Sequence, residues 1–177
     1  NQSTQYIIYI DYDSVVIEKP QSIKLEIGLR YNPILPTLNK AVTHKFLHPF
    51  TQEPLFDGGA IQCLDLIEIV AEKMRAAATR LDIAPRDFYD LGFIIESGFD
   101  FGNTQVWDLF QTKLAEDGFD RDLSKYQSNL GRSETEISNM ANRIDAELLA
   151  VLTPQEQESF DLEQTLFQIN KIFELAK

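Results

Sequence analysis

The spacing of hydrophobic residues changes at Asp65, and this change constrains the fold more than any other feature of the sequence. From Tyr6 to Arg30 the hydrophobic residues alternate or run in β-branched stretches, which is typical of strands. After Asp65 they recur at helical spacing, at Leu66, Ile69, Val70, Met74 and Ala77. Strands followed by helices predict an α+β fold, with a β-rich segment over residues 1–60 and a helical domain over residues 61–177.

Composition excludes several classes of protein. The single cysteine, Cys63, rules out an internal disulfide framework, and two histidines are too few for a zinc cluster, so a reducing, cytoplasmic compartment is predicted. The longest apolar runs are far shorter than the roughly 18 to 20 residues of a membrane span. Because the chain begins at Asn1 without a methionine or an apolar leader, we expect that a segment upstream has been removed.

The net charge of −12 is unevenly distributed along the chain. Residues 1–90 carry 9 basic and 12 acidic groups, whereas residues 91–177 carry 7 and 16. Binding a nucleic-acid backbone requires a basic face that neutralises phosphates. Broad nucleic-acid binding through the second half of the chain is therefore not expected.

Capping and breaking residues predict where the elements begin and end. Residues 31–60 are rich in proline and glycine, which favours loops and short edge strands. Helices are expected from Asp65 to near Arg80, from Pro85 onward, and before Gly118. Two longer helices are expected over residues 133–152, opened by a capping box, and over residues 154–176. The aromatic residues of segment 99–110 are interpreted as core packing between the two lobes.

Two pairs of residues near the N-terminus have a spacing that is found in metal sites. Asp11 and Asp13 form an Asp-x-Asp pair, but no glycine turn and helix precede them, so residues 6–16 are interpreted as a peripheral strand with a polar turn. His44 and His48 are four residues apart, which suits metal binding only on a helix. Because Pro49 argues against a helix there, both histidines are interpreted as loop or edge residues.

Charged residues of the first two predicted helices are the candidates for chemistry. Lys73 falls close to the apolar stripe, where its ammonium either pairs with Glu72 or another acid, or binds phosphate. In the next helix Asp87 and Asp90 share one face, and Arg86 is placed to pair with Asp90. This second group is interpreted either as a helix start with dipole-favoured acids and an exposed ion pair, or as part of a site.

The two segments together resemble a known family. The stretch "DLIEIVAEKMRAAATRLDIAPRDFYDL", residues 65–91, is similar to the paired signature of the AbiEii/AbiGii-type nucleotidyltransferase toxins. A Glu-x-x-Ala-x-Lys motif is filled by Glu68, Ala71 and Lys73, and an Arg-Asp-x-Tyr-Asp motif is filled by Arg86, Asp87, Tyr89 and Asp90. The strand "IKLEIGLR" also resembles the family's strand that precedes these helices.

The resemblance implies a partial nucleotidyltransferase-like mixed sheet followed by a C-terminal helical bundle. It also implies transfer of a nucleotidyl group from a nucleoside triphosphate, with Mg²⁺, to an acceptor that is tRNA in some members. The expected setting is a toxin–antitoxin or abortive-infection phage-defence system, with a protein antitoxin as partner.

The resemblance also assigns residues to the site. Lys73 and Asp87 would be the catalytic pair, with Lys73 binding the triphosphate and Asp87 positioning it or the nucleotide. The other implied nucleotide-binding residues are Arg86, Asp90 and Glu68. Glu26 is a further, weaker candidate, as a metal-binding carboxylate. It is considered because its strand face also carries Lys24, Gly28 and Arg30, which is unusual for a purely structural strand.

The sequence departs from the family pattern at its N-terminal motifs. Family members carry a Gly-Gly or Gly-Ser turn and then a Ser-x-Asp-x-Asp strand, which hold the phosphates and the metals. Here "GGA" at residues 58–60 has no Asp-x-Asp after it, and "IDYDS" at residues 10–14 has no glycine turn before it. We therefore expect the metal pair upstream of Asn1 and expect this chain alone to be inactive. The alternative is a non-catalytic relative whose acidic helical bundle binds a protein such as an antitoxin.

Overall fold

A computed structural model describes residues 5–14, 19–28, 32–43 and 46–176 of the chain. The described strands are β1 (Gln5–Asp13), β2 (Pro20–Gly28), β3 (Leu38–Ala41) and β4 (Ala60–Cys63). The helices that follow are α1 (Leu66–Thr79), α2 (Pro85–Glu96), α3 (Thr104–Glu116), α4 (Glu134–Ala141), α5 (Ile144–Glu147), α6 (Pro154–Ser159) and α7 (Leu162–Ile172). Strands thus precede helices along the chain, and the α+β prediction is confirmed. The chain divides into two compact units, Asn1–Pro36 and Thr37–Lys177.

The first unit contains the antiparallel hairpin of β1 and β2. The predicted alternation is present: one face carries six apolar side chains, each 41–60% exposed, from Tyr6, Ile8, Ile10, Ile23, Leu25 and Ile27. The opposite face carries Asp11 across from Ser22 and Asp13 across from Pro20. Asp11 and Asp13 therefore lie among the last paired residues of β1 and make its end polar. The predicted strand "SVVIE" and the residues Leu29 and Arg30 fall largely or wholly outside the described residues.

The second unit begins with the short antiparallel pair of β3 and β4, in which Leu38 lies opposite Cys63. Short strands and turns in the described part of residues 31–60 are what proline and glycine predict there. His48 lies in a turn, where its Nδ1 accepts hydrogen bonds from the backbone N–H groups of Phe50 and Thr51 at 3.3 and 3.2 Å. His44, the other histidine of the pair interpreted as loop or edge residues, lies outside the described residues.

The described strands pair as two separate two-stranded antiparallel sheets. The mixed sheet implied by the resemblance is not among the strand pairings described for residues 5–14, 19–28, 38–41 and 60–63. The connection between β1 and β2 spans only residues 14–19, and a connection of that length joins antiparallel strands, because parallel strands need a crossover of a dozen or more residues.

The predicted start and end of α1, the predicted start of α2 and the predicted end of α3 are confirmed. Asp65 caps α1 by accepting a hydrogen bond from the backbone N–H of Ile67 at 2.9 Å, and Arg80 follows the last turn. Pro85 occupies the first position of α2, where its missing N–H costs nothing. Asn103 caps α3, which ends at Glu116.

The two long C-terminal helices expected from the sequence are each broken in the structure. Both capping boxes are present, at Ser133 with Glu136 and at Thr153 with Glu156, so the predicted starts are confirmed. The prediction of single helices over residues 133–152 and 154–176 is wrong. Asp161 accepts a hydrogen bond from the backbone N–H of Gln164 and thereby starts α7 as a new helix.

The core of the second unit lies between the helices, since α1 packs against both α2 and α3 and α2 packs against α7. Phe101, Val106, Trp107 and Phe110 are buried, as expected of core residues. The ring of Trp107 packs against that of Phe173 at a tilt of 60°, with the centroids 5.1 Å apart, and its indole N–H donates to the carbonyl of Phe101 at 2.8 Å. All of these contacts join residues of the second unit. The expectation that this cluster packs between two lobes is therefore wrong. Among the described residues, no helix is both long and apolar enough to cross a bilayer.

Candidate functional site

The structure brings Lys73 of α1 together with two acids of α2. The Nζ of Lys73 lies 3.5 Å from Oδ1 of Asp87 and forms a second ion pair with Asp90. Glu72, the partner considered from the sequence, instead pairs with Arg75 at 2.5 Å. The side chain of Lys73 is 30% exposed, so part of it remains accessible to solvent while the two acids hold its ammonium. Lys73 of the first motif and Asp87 and Asp90 of the second thus form one cluster.

Asp87 is the buried centre of this cluster. Its side chain is only 1% exposed, and among the described residues neither carboxylate oxygen has a hydrogen-bond partner. Oδ1 faces Lys73, and Oδ2 lies 3.3 Å from Nη1 of Arg80. A buried carboxylate is costly unless opposite charges offset the loss of water, and these two cations do so here.

Arg80 was not singled out from the sequence. The available signal was its spacing, because a residue seven positions after Lys73 lies on the same face of a helix, two turns on. The backbone around Arg80 is fixed by the buried Arg132, whose guanidinium donates to the carbonyls of Arg80 at 2.7 Å and Ala77 at 2.9 Å. The same guanidinium pairs with Glu136 at 3.1 Å, which ties the end of α1 to the start of α4.

Arg86 does not form the ion pair with Asp90 that its spacing suggested. Asp90 lies on the face of α2 that meets Lys73, and its carboxylate pairs with that ammonium. Arg86 is exposed. The expectation of an Arg86–Asp90 pair is therefore wrong, because the contact between helices replaces the contact within the helix.

Glu68 lies in a different environment from Lys73. It is 1% exposed and accepts a hydrogen bond from Nζ of the buried Lys113, on α3, at 3.1 Å. Five residues separate Glu68 from Lys73, which places their side chains about 140° apart around the helix axis. The structure thus places Glu68 between α1 and α3, whereas Lys73 contacts α2.

A second ion network ties α1 to the end of α3. Arg75 contacts Glu72 and also Asp117, whose Oδ2 lies 2.6 Å from Nη1. Burial alone would lower the pKa of Arg75, but the adjacent carboxylates of Glu72 and Asp117 raise the pKa above its ordinary value. This network fixes α1, the helix that carries Lys73 and Arg80, against its neighbour.

Tyr89, the remaining polar residue of the second motif, contacts α6. Its ring packs edge-on against Phe160 at 5.6 Å, beside the carboxylate of Glu156. Burial raises the pKa of Tyr89 above its ordinary value, and the negative charge of Glu156 raises it further. The tyrosine therefore anchors α2 on the side of the C-terminal helices.

The described residues do not fit a magnesium site. In the parts of the chain that the structure describes, no group of three His, Cys, Asp or Glu side chains is placed to hold a metal. Both oxygens of Asp87 face cations, which occupy the positions a metal would need. Glu26 belongs to the first compact unit, where it pairs with Lys24 of the same strand, β2.

Comparison with protein families identifies the chain. The family model described as nucleotidyl transferase AbiEii toxin, type IV toxin–antitoxin system, matches residues 2–166. Comparisons with curated proteins and with solved structures gave no match. The matched range is nearly the whole chain and includes Lys73, Asp87 and Asp90. This chain belongs to the AbiEii nucleotidyl transferase toxin family of type IV toxin–antitoxin systems.

Proposed function

We propose that this chain carries the triphosphate-binding part of an enzyme that transfers a nucleotidyl group from a nucleoside triphosphate to an RNA acceptor, with tRNA the first candidate. The contact that supports this proposal is the one between Lys73 and the buried Asp87, at 3.5 Å. It joins the two motifs of the family signature in one cluster. The membership of the chain in a nucleotidyl transferase family supports the same reaction class.

Lys73 offsets the negative charge of the triphosphate in this proposal. Charge develops on the phosphates as the bond to the leaving pyrophosphate breaks, and a preorganised cation stabilises that charge. Asp87 and Asp90 hold the ammonium in place without covering it, since Lys73 keeps 30% of its side chain exposed. Asp87 is itself buried and is thus a positioning residue for Lys73.

Magnesium is implied by the family, and in such reactions it aligns the phosphate and activates the attacking hydroxyl. The described residues do not assemble ligands for it. The roles proposed for this chain are therefore charge neutralisation and positioning. Glu26 as a metal ligand stays a prediction, and so do Glu68 and Arg86 as nucleotide-binding residues.

The acidic second half of the chain constrains how the acceptor is held. Residues 91–177 carry 16 acidic and 7 basic groups, which disfavours extended contact with a nucleic-acid backbone. We propose that the acceptor RNA is contacted over a short segment beside the reacting end, and not along its length.

The proposal is tested by labelling. The protein encoded by the complete reading frame is incubated with each labelled nucleoside triphosphate, magnesium and total RNA, and compared with its Lys73→Ala and Lys125→Ala variants. Lys125 is the matched control, because it is an exposed lysine paired with an acid, Asp120, outside the two motifs. Labelling by the wild type and the control, with loss in Lys73→Ala, is the expected result.

Two outcomes contradict the proposal in different ways. Equal labelling by the wild type and Lys73→Ala would remove Lys73 from the mechanism. No labelling by any form, combined with stable binding of a cognate antitoxin, would favour the alternative that the chain is a non-catalytic, protein-binding relative. Reading the complete frame for a glycine turn and Ser-x-Asp-x-Asp upstream of Asn1 discriminates these two functions independently.

A further inference from the structure

We infer that Arg80 is a second cation of the triphosphate site, held by Asp87 beside Lys73, and that the two side chains together bind the polyphosphate tail of the nucleotide. This assignment rests on the proposed function. It adds a binding residue outside both motifs, since Arg80 lies between the Glu-x-x-Ala-x-Lys and Arg-Asp-x-Tyr-Asp segments.

The shared carboxylate is the first reason. Asp87 directs one oxygen at each cation, at 3.5 Å for Lys73 and 3.3 Å for Arg80, so both cations lie around a single buried charge. Neither contact satisfies hydrogen-bond geometry. The acid therefore holds the two cations by charge and leaves their N–H groups available for a stronger acceptor.

The second reason is that both cations can be reached from solvent while the acid cannot. The side chains of Lys73 and Arg80 are 30% and 39% exposed, whereas that of Asp87 is 1% exposed. An anion that approaches this corner of α1 and α2 therefore meets the ammonium and the guanidinium before it meets the carboxylate. Asp90 is the acid that shares the exposed side, and it is already paired with Lys73.

The third reason is that Arg80 is held rigidly at its backbone. It is the residue that ends α1, and its carbonyl accepts a hydrogen bond from the guanidinium of Arg132 at 2.7 Å. Only 8% of the Arg132 side chain is exposed. A fixed backbone with a partly exposed guanidinium reduces the entropy lost on binding a ligand.

The chemistry of the side chains indicates the ligand class. A guanidinium presents five N–H donors in a planar fork that matches two phosphate oxygens, while an ammonium acts as a point charge. A triphosphate carries several charges close together, so one lysine alone leaves most of them unbalanced. Two adjacent cations of these two types suit a polyphosphate better than they suit a single carboxylate or phosphomonoester.

The test measures binding of inorganic tripolyphosphate, of the nucleoside triphosphates and of the corresponding monophosphates by calorimetry. The complete protein is used, at one salt and one magnesium concentration. The variants are Arg80→Gln, Arg80→Lys, Lys73→Ala and, as a control, Lys125→Gln. Unfolding curves of all variants are recorded alongside, since removing a partner of the buried Asp87 also affects stability.

We expect Arg80→Gln to weaken binding of tripolyphosphate and of triphosphates by at least about tenfold, and to leave monophosphate binding unchanged. Arg80→Lys should be intermediate, because lysine keeps the charge and loses the fork. Lys125→Gln should match the wild type. A residue with only a structural role would weaken monophosphate and triphosphate binding alike.

The inference is overturned if folded Arg80→Gln binds tripolyphosphate as the wild type does while Lys73→Ala loses binding, a result that leaves the proposed function intact. If Arg80→Gln does not fold, Arg80→Lys decides: unchanged tripolyphosphate affinity overturns the inference, and selective weakening supports it. If the wild type binds neither tripolyphosphate nor any nucleoside triphosphate, the proposed function itself fails.

Discussion

The Nζ of Lys113 lies 3.1 Å from Oε1 of Glu68 across the interface between α3 and α1, and both side chains are almost completely buried. Glu68 fills the first position of a family motif, yet its partner is a lysine that no motif includes. The pair joins the helix that carries Lys73 and Arg80 to its neighbour. Its main contribution is therefore to the position of α1.

Replacing Lys113 by methionine is expected to destabilise the protein by about 3–5 kcal/mol, because the buried carboxylate of Glu68 then loses the ammonium that pairs with it. Adding Glu68→Leu to this variant removes the buried carboxylate and should recover much of the loss. Denaturant unfolding of the wild type, the single variants and the double variant measures both effects. Additive losses in the double variant would contradict a coupled pair.

Asp87→Asn is expected to lower nucleotidyl transfer by about a hundredfold, because Lys73 and Arg80 both lose the charge that positions them. Asp90→Asn should have a smaller effect, since Asp90 is 36% exposed and contacts only the lysine of the pair. Rates of labelling with saturating triphosphate compare the two variants. A larger loss in Asp90→Asn would show that the exposed acid, and not the buried one, holds the site.

Local sequence signals predicted the parts of the fold that depend on neighbouring residues. Asp65, Pro85 and the Ser133 and Thr153 capping boxes mark helix starts because each acts on backbone groups within one turn. The break at Asp161 was missed, although its carboxylate is a capping group of the same kind. Hydrophobic spacing runs through it, and the extended backbone of Phe160, whose ring packs on Tyr89, shows that the helix stops.

The sequence likewise predicted the part of the site that lies in the two motifs. Lys73 and Asp87 were found through their motifs, and the structure places them 3.5 Å apart. Arg80 and Lys113 were missed because their importance comes from contacts between helices, at a buried Asp87 and a buried Glu68. The spacing of Arg80 from Lys73 indicates a shared helix face, but the sequence does not show which acid of another helix Arg80 or Lys113 meets, 7 or 45 positions away.

Gly131→Ala is expected to destabilise the protein by more than Gly118→Ala. Both glycines have a left-handed backbone, with φ of 75° and 77°, which costs about 1–2 kcal/mol for a residue with a Cβ. At Gly131 the added Cβ would also lie 2.8 Å from the carbonyl oxygen of Lys125, whereas at Gly118 it meets nothing within 4 Å. Thermal unfolding measures the stability of both variants, and the difference between them is the cost of the steric clash at Gly131. Equal losses of stability would show that the segment around Lys125 moves to accommodate the methyl group.

Ser133→Ala is expected to cost about 1 kcal/mol at neutral pH, because the cap of α4 is lost. The cap also depends on pH. The backbone N–H and the hydroxyl of Ser133 both hydrogen-bond to Glu136, and they lower the pKa of that carboxyl below its ordinary value. Because its pKa is lowered in the folded protein, the ionised carboxylate of Glu136 stabilises the fold at pH values above the ordinary carboxyl pKa. This stabilisation is lost as the pH falls through about 4 and below.

The stability difference between the wild type and Ser133→Ala should therefore shrink as the pH is lowered, because a protonated Glu136 accepts a weaker hydrogen bond from the hydroxyl of Ser133. Denaturant unfolding between neutral pH and about pH 3 measures this difference across the range in which carboxyl groups titrate. Ser138→Ala is the matched control, because Ser138 is exposed within α4, where alanine is the better helix former. A difference that stays constant with pH would show that Ser133 stabilises α4 through its backbone contact alone, without the charge of Glu136.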